Sequence, residues 1–279
     1  MIYALYAINF LLMIAMPLVL ARFIAKKRQI GWGLFGIGAA TFVLSQIGHI
    51  PFNWLVLQRF EWVPVDNLIV LAFFAGLSAG VFEETARYLT YRFWTQNART
   101  WGTGLMLGAG HGGIEAILVG VLGGWGVIQL AALQNGVWLD RVPTEYLPLV
   151  EAQITATFSA PWYLILLGAL ERLLAIILHL SFSLMVMQVF VRRQSRWLWV
   201  AILWHAMVDA TAVYAISTWG AYVTEAIVGG MALISLGIVF WFKTPEPVEP
   251  ELGPLPQVGP AQPIALELTA DFLDKSRFE

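Results

Sequence analysis

The chain contains no cysteine, which excludes disulfides, thiolate zinc sites, cysteine nucleophiles and cysteine-ligated iron–sulfur clusters. It is also poor in charge: 12% of its 279 residues are Asp, Glu, Lys or Arg, against about a quarter in soluble domains. With a formal net charge of −2 it lacks the basic field that holds a nucleic-acid backbone by counterion release, so nucleic acid is not an expected partner. Histidine is scarce, at four in the whole chain. Any chemistry must come from carboxylates, hydroxyls and those four imidazoles.

What is abundant is apolar surface: 59% of the residues are hydrophobic and the mean hydropathy is +0.72. Crossing ~30 Å of hydrocarbon takes about 20 apolar residues, and seven stretches qualify: Ile2 to Ile24, Trp32 to Leu57, Leu68 to Tyr91, Gly102 to Leu133, Pro161 to Phe190, Trp197 to Ser217 and Tyr222 to Phe242. The expected fold is all-α, a polytopic membrane helix bundle of about seven transmembrane helices surrounded by membrane lipid. The fourth and fifth stretches are long enough to tilt, kink or break, and Gly108, Gly110, Gly112 and Gly113 interrupt the fourth. Tryptophans such as Trp62, Trp94, Trp101, Trp197, Trp219 and Trp241 cluster near span ends and read as an interfacial belt.

No basic residue precedes the first span, and Arg22, Lys26, Lys27 and Arg28 fall at its end, the reverse of a cleavable signal peptide, so this span is expected to stay as an anchor. Basic residues then follow alternate spans: Arg92 and Arg99 after the third, Arg192, Arg193 and Arg196 after the fifth, Lys243 after the seventh. The positive-inside rule then places the N-terminus outside and the C-terminus in the cytoplasm of a multi-pass cell-membrane protein. Residues 1–243 form the bundle; residues 244–279 hold seven of the 13 prolines, seven acidic and two basic residues. That composition reads as an extended, disordered acidic tail in preference to a short amphipathic helix over 264–278.

Ionisable side chains inside spans cost about 2.5–3.5 kcal/mol each on insertion scales, so each needs a partner or a task. Span three carries Glu83, Glu84 and Arg87, span four His111 and Glu115, span five Glu171, Arg172 and His179, span six His205 and Asp209. Counting about 1.5 Å per residue from the basic span ends, Glu83, Glu84, His111 and His205 lie about 12–14 Å deep and Glu115, His179 and Asp209 about 20 Å. Glu83 with Arg87, His111 with Glu115, His179 with Ser183 and His205 with Asp209 are i, i+4 pairs, each on one helix face. Four helices thus present polar faces at one depth, in the cytoplasmic half.

Arg87 can neutralise one of the two glutamates, not both, which leaves the other for a proton, a metal or a histidine. His49, Glu171, Arg172 and Glu225 fall in the outer half or at its edge, and His49 beside Pro51 reads as an interfacial or packing histidine. Gly76-Leu-Ser-Ala-Gly80 matches the G-x-S-x-G nucleophile pattern, but that elbow needs a strand-to-helix turn; inside an apolar helix it reads as small-residue packing.

The four motifs Glu83-Glu84-Thr-Ala-Arg87-Tyr88, Gly110-His111-Gly-Gly-Ile-Glu115, His179-Leu-Ser-Phe-Ser183 and His205-Ala-Met-Val-Asp209, in that order, resemble the YhfC family of intramembrane peptidases, distant relatives of the CAAX-prenyl and bacteriocin-processing endopeptidases. The resemblance implies paired glutamates activating water, assisting histidines, and a last His-x-x-x-Asp motif that stabilises the oxyanion. In the CAAX relatives the first motif is Glu-Glu-x-x-x-Arg and the second Phe-x-x-x-His. Here they are Glu-Glu-x-x-Arg and His-x-x-x-Glu, so the partner of the base is His111 or Glu115.

The expected function is an intramembrane endopeptidase acting on a membrane-anchored protein or peptide. The expected catalytic residues are Glu83, Glu84, Arg87, His111, Glu115, His179, His205 and Asp209. A metal-free glutamic mechanism without a cofactor is favoured. The alternative holds Zn²⁺ on His111, His179 and His205 as neutral imidazoles, although no H-E-x-x-H signature is present. An ion- or proton-coupled transporter, or a noncatalytic membrane scaffold, would also place ionisable groups inside a bundle.

Overall fold

The structure is a computed structural model in which residues 1–244 are described. The expectation for a Pro-rich acidic tail therefore lies, from residue 245 onward, outside the described residues. Eight α-helices follow in order: α1 (Ile2–Arg28), α2 (Gly33–Trp54, prolonged by a π-helical turn Leu55–Arg59), α3 (Leu68–Phe93), α4 (Trp101–Gln134), α5 (Leu147–Phe158), α6 (Trp162–Val191), α7 (Arg196–Trp219) and α8 (Ala221–Trp241). All but α5 are long and apolar enough to cross a membrane, as the seven expected spans require. The short α5, without a buried residue, lies in the α4–α6 connection, where no element was expected.

Local chemistry sets the helix ends. Asn67 accepts from the Val70 amide at the start of α3, and Thr100 with Thr103 forms a reciprocal capping box at the start of α4, satisfying amides that have no partner within the helix. The α4 glycines do not break the helix. Gly104, Gly108 and Gly112 form a smooth stripe against α6: a Cβ at Gly108 would stand 2.9 Å from the His179 carbonyl oxygen, and one at Gly112 2.7–3.0 Å from the His179 side chain. A second stripe confirms the packing reading of Gly76 and Gly80. A Cβ there would meet the α7 backbone, 2.7 Å from the Ala210 nitrogen and 2.6 Å from the Ile202 oxygen respectively.

Small residues let helix backbones approach where lipid offers no hydrophobic drive, and α3 and α7 accordingly form the most extensive helix pair. The central helix is α6, packed on α1, α3, α4, α7 and α8.

One end of the bundle is basic. Arg28 and Lys243 both sit over the Trp101 ring, at 4.7 and 5.9 Å, Arg99 over Phe190 at 4.4 Å and Arg192 over Phe242 at 5.3 Å. A buried apolar core fills this end, including Tyr91, Trp101, Met106, Leu184, Met187 and Phe242. At the far end α1 meets α5, where the Tyr6 hydroxyl donates to the Thr157 carbonyl at 2.9 Å.

Candidate active site

The ionisable residues of α3, α4, α6 and α7 converge in the bundle interior, most of them held by partners on other helices. Glu83 is the hub. Its Oε2 accepts from His111 Nε2 at 3.0 Å and its Oε1 from the Gln46 amide at 3.2 Å, with Arg87 Nη2 and His205 Nε2 at 3.9 and 4.0 Å. Glu84 is wholly buried, and its Oε1 accepts from Arg87 Nη1 and from His205 Nδ1, the latter at 2.6 Å. The expected i, i+4 pair of Glu83 and Arg87 is present at 3.9 Å, beside a closer i, i+3 pair between Glu84 and Arg87.

His179 is clamped from both sides. Arg87 Nη2 donates to its Nδ1 at 2.6 Å; a guanidinium has no acceptor, so the ring proton is on Nε2, which donates to Glu115 Oε2 at 2.6 Å. His179 does not pair with Ser183, whose hydroxyl donates to the Gly104 carbonyl at 2.9 Å and lies 2.8 Å from the Tyr91 hydroxyl. Nor do His111 and Glu115 pair with each other. Sharing a helix face, they reach different neighbours, His111 towards α3 and Glu115 towards α6. His205 stacks on Phe182 (4.5 Å, 7°), and its Nε2 lies 3.4 Å from Asp209 Oδ2, whose side chain is 40% exposed.

The structure therefore brings together all eight expected residues, with Asp209 at the rim, and adds two. Arg172, which depth had left aside, donates Nη1 to Glu115 Oε1 at 2.6 Å and also pairs with its neighbour Glu171. Gln46 links Glu83 to His49, whose Nδ1 lies 3.3 Å from the Gln46 carbonyl oxygen. The i, i+3 spacing of Gln46 and His49 on an apolar helix was the signal that sequence reading passed over. His49 itself packs as expected, stacked on Phe82 at 5.4 Å.

A cavity of about 310 Å³ opens onto this layer, lined by Glu83, Glu115, His179, His205 and Asp209 and, further out, by Arg172, Glu171 and Glu225. Glu84 and Arg87 are not among its lining residues. Of the two adjacent glutamates, Glu83 faces the cavity and Glu84 braces the histidine and arginine behind it.

One ligating atom each of Glu83, His111 and His179 lies within 4.8 Å of the other two, and all three residues are buried. This set differs from the three imidazoles of the zinc alternative: His205 is not part of it, and a carboxylate takes its place. Two imidazoles and one carboxylate are the donor composition of a large class of zinc peptidases. His111 Nδ1 is buried and has no hydrogen-bond partner among the described residues. The residues present fit a divalent metal in donor type and proximity.

A seven-span apolar bundle, among the described residues, with a carboxylate–imidazole cluster at the inner end of a cavity defines a multi-pass integral membrane protein with a candidate catalytic site. The chain belongs to the YhfC intramembrane metalloprotease family, whose model matches residues 12–243, and is accordingly a peptidase of glutamic or metallo type. It is 35% identical over 216 residues to the "Uncharacterized membrane protein YhfC" of Bacillus subtilis (strain 168), an alignment covering 74% of this chain and 81% of that protein. No solved structure matches the chain.

Proposed function

We propose that the protein is an intramembrane endopeptidase that hydrolyses a peptide bond in a membrane-anchored substrate, with Glu83, His111 and His179 holding a divalent metal, Zn²⁺ by donor type. The observation that supports this reading is the gathering of those three ligating groups where Glu83 and His179 line the cavity. The metal, when bound, supplies Lewis acidity to the scissile carbonyl and to the attacking water.

The remaining residues position and neutralise. Glu115, itself held by Arg172, fixes the His179 ring, the carboxylate–histidine arrangement that orients ligands in metal sites. Glu84 accepts from His205 Nδ1 and leaves Nε2 facing Asp209 and the cavity, where the ring, as an imidazolium balanced by the Glu84 and Asp209 carboxylates, can donate its second N–H to a developing oxyanion. Arg87 balances the Glu84 charge, since a lone carboxylate at this burial would carry a penalty of several kcal/mol.

A metal-free reading is favoured by one observation: both ring nitrogens of His179 are engaged, by Arg87 and by Glu115. In that version Glu83 takes the proton from water and His111, at 3.0 Å, steadies the carboxylate as general base.

Both versions are tested together by purifying the full chain in detergent, measuring bound metal by mass spectrometry and following cleavage of a panel of membrane-anchored peptides. The metal version expects about one zinc per chain, loss of cleavage on chelation with recovery on zinc addition, and loss of metal in His111→Ala. Cleavage that persists without metal and disappears in Glu83→Gln selects the metal-free version. Cleavage that survives both Glu83→Gln and His205→Ala refutes the site.

A further inference from the structure

The cavity has a direction. On α7 its lining runs from His205 through Asp209 and Ala212 to Ile216, and on α6 from Phe182 back through Ala175 to Glu171. These are antiparallel helices and each stretch spans 12 residues, 11 rises of 1.5 Å or about 16 Å, away from the basic end in both cases. The lining on α8, Thr224 to Val228, belongs to its first turns next to Gly220, where α7 and α8 join at the far end. Ile216 and the side chain of Glu171 are about half exposed.

On the opposite side of the layer the packing is closed. Tyr91, Leu105, Met106, Leu180, Leu184 and Met187 lie buried there, and the void that touches Arg87 and His111 on that side measures about 10 Å³, room for about one water. A layer near mid-bundle thus has a wide approach from the far end and an apolar floor towards the basic end.

We infer that the substrate reaches Glu83 and His205 from the far end, by the α7–α8 junction, so that the preferred substrates are membrane-anchored chains that present their cleavable stretch from the half of the membrane opposite the basic helix ends. With the basic ends cytoplasmic by the positive-inside rule, that is the extracytoplasmic half. The route rests on cavity geometry alone; the substrate class rests on the peptidase reading above.

The absence of cysteine makes the test direct. Single cysteines are placed in the full chain at Ala212 and Ala175 in the cavity, at Asn135 after α4 as a far-end marker and at Gln194 between α6 and α7 as a basic-end marker. Intact and inverted membranes are then treated with a membrane-impermeant cationic methanethiosulfonate, a charge suited to a lining that sets Glu171, Asp209 and Glu225 against Arg172.

Ala212→Cys and Ala175→Cys are expected to be labelled from the side that labels Asn135→Cys, with labelling lost from the side that labels Gln194→Cys. Two variants guard against one failing to fold. Labelling from the Gln194 side, or from neither side, overturns the route; labelling from both sides indicates alternating access and overturns it as well. Two single-span reporters carrying the same cleavable sequence in opposite membrane halves complete the test, with cleavage expected only on the Asn135 side. Far-side labelling with neither reporter cut leaves the route standing and refutes the peptidase reading, whereas cleavage of the Gln194-side reporter alone refutes the substrate class.

Discussion

Replacing Gly112 by alanine adds one methyl group at a crowded point of the site. The new Cβ would stand 2.7 Å from His179 Cδ2, 2.8 Å from Cβ and 3.0 Å from Cγ, against 3.4 Å or more in ordinary contact. Either the α4 backbone or the His179 ring must then yield by about 0.7 Å, more than the roughly 0.5 Å within which a functional constellation must be held. The backbone is poorly placed to move, because Gly108, one turn away, runs so close to α6 that a Cβ there would stand 2.9 Å from the His179 carbonyl oxygen and Leu180 Cα. The ring is therefore displaced from Arg87 and Glu115, both at 2.6 Å. A misplacement of 1 Å costs on the order of 10²-fold in rate, so Gly112→Ala is expected to lose about 10- to 100-fold in cleavage. The overpacking itself destabilises by about 1–3 kcal/mol. The assay is cleavage of the membrane-anchored peptide panel, with monodispersity in detergent and the unfolding midpoint as controls for folding. Gly126→Ala on the same helix, with nothing within 4 Å of its Cβ, should cleave at the wild-type rate. A folded Gly112→Ala that also cleaves at that rate would refute the placement of His179 in the machinery.

Arg87→Met leaves Glu84 buried without its cation and should cost about 3–5 kcal/mol in an unfolding titration, most of it recovered in the double variant Glu84→Gln/Arg87→Met. Arg172→Gln frees Glu115 and should lower bound zinc or cleavage by about 10- to 100-fold, with partial rescue by Arg172→Lys. Gly80→Val drives a side chain into the α7 backbone and should lower the unfolding midpoint, whereas Gly230→Ala, with nothing near its Cβ, should not. Gln46→Leu removes one hydrogen bond to Glu83 and is expected to slow cleavage about tenfold or less, corresponding to roughly 1–1.4 kcal/mol.

The span architecture and the depth of the polar layer were readable in the chain because both depend on local quantities, the length of an apolar run and the rise per residue along a helix. Pairing was not. Helical periodicity places His111 and Glu115 on one face, but which side chain of a neighbouring helix meets each depends on helix rotation and crossing. Hence the Glu115–His179–Arg87 chain and the Arg172–Glu115 bridge emerged only in three dimensions. The same reason hid the division of labour between Glu83 and Glu84: adjacent helical residues point about 100° apart, and nothing local says which direction holds the cavity. Depth alone misplaced Arg172, whose long side chain reaches from its own turn to a carboxylate on α4. The cavity's approach from the far end was equally invisible, since the depth arithmetic locates a layer without saying which side of it is packed.

The distribution of charge partners among helices also bears on how the chain enters the bilayer. Helix α3 carries its own counter-charge in the Glu84–Arg87 pair, α6 in the Glu171–Arg172 pair, and α7 pairs His205 with Asp209. Helix α4 is different: the partners of Glu115, Arg172 and His179, are both on α6, which emerges later, after the loop carrying α5. During synthesis α4 must therefore wait at the translocon, or sit in the membrane with a protonated or poorly solvated carboxylate, until α6 arrives. Glu115→Gln should insert more readily than the parent sequence in an α4 fragment lacking α6. In the full chain the order should reverse, because the same carboxylate then draws α6 into place.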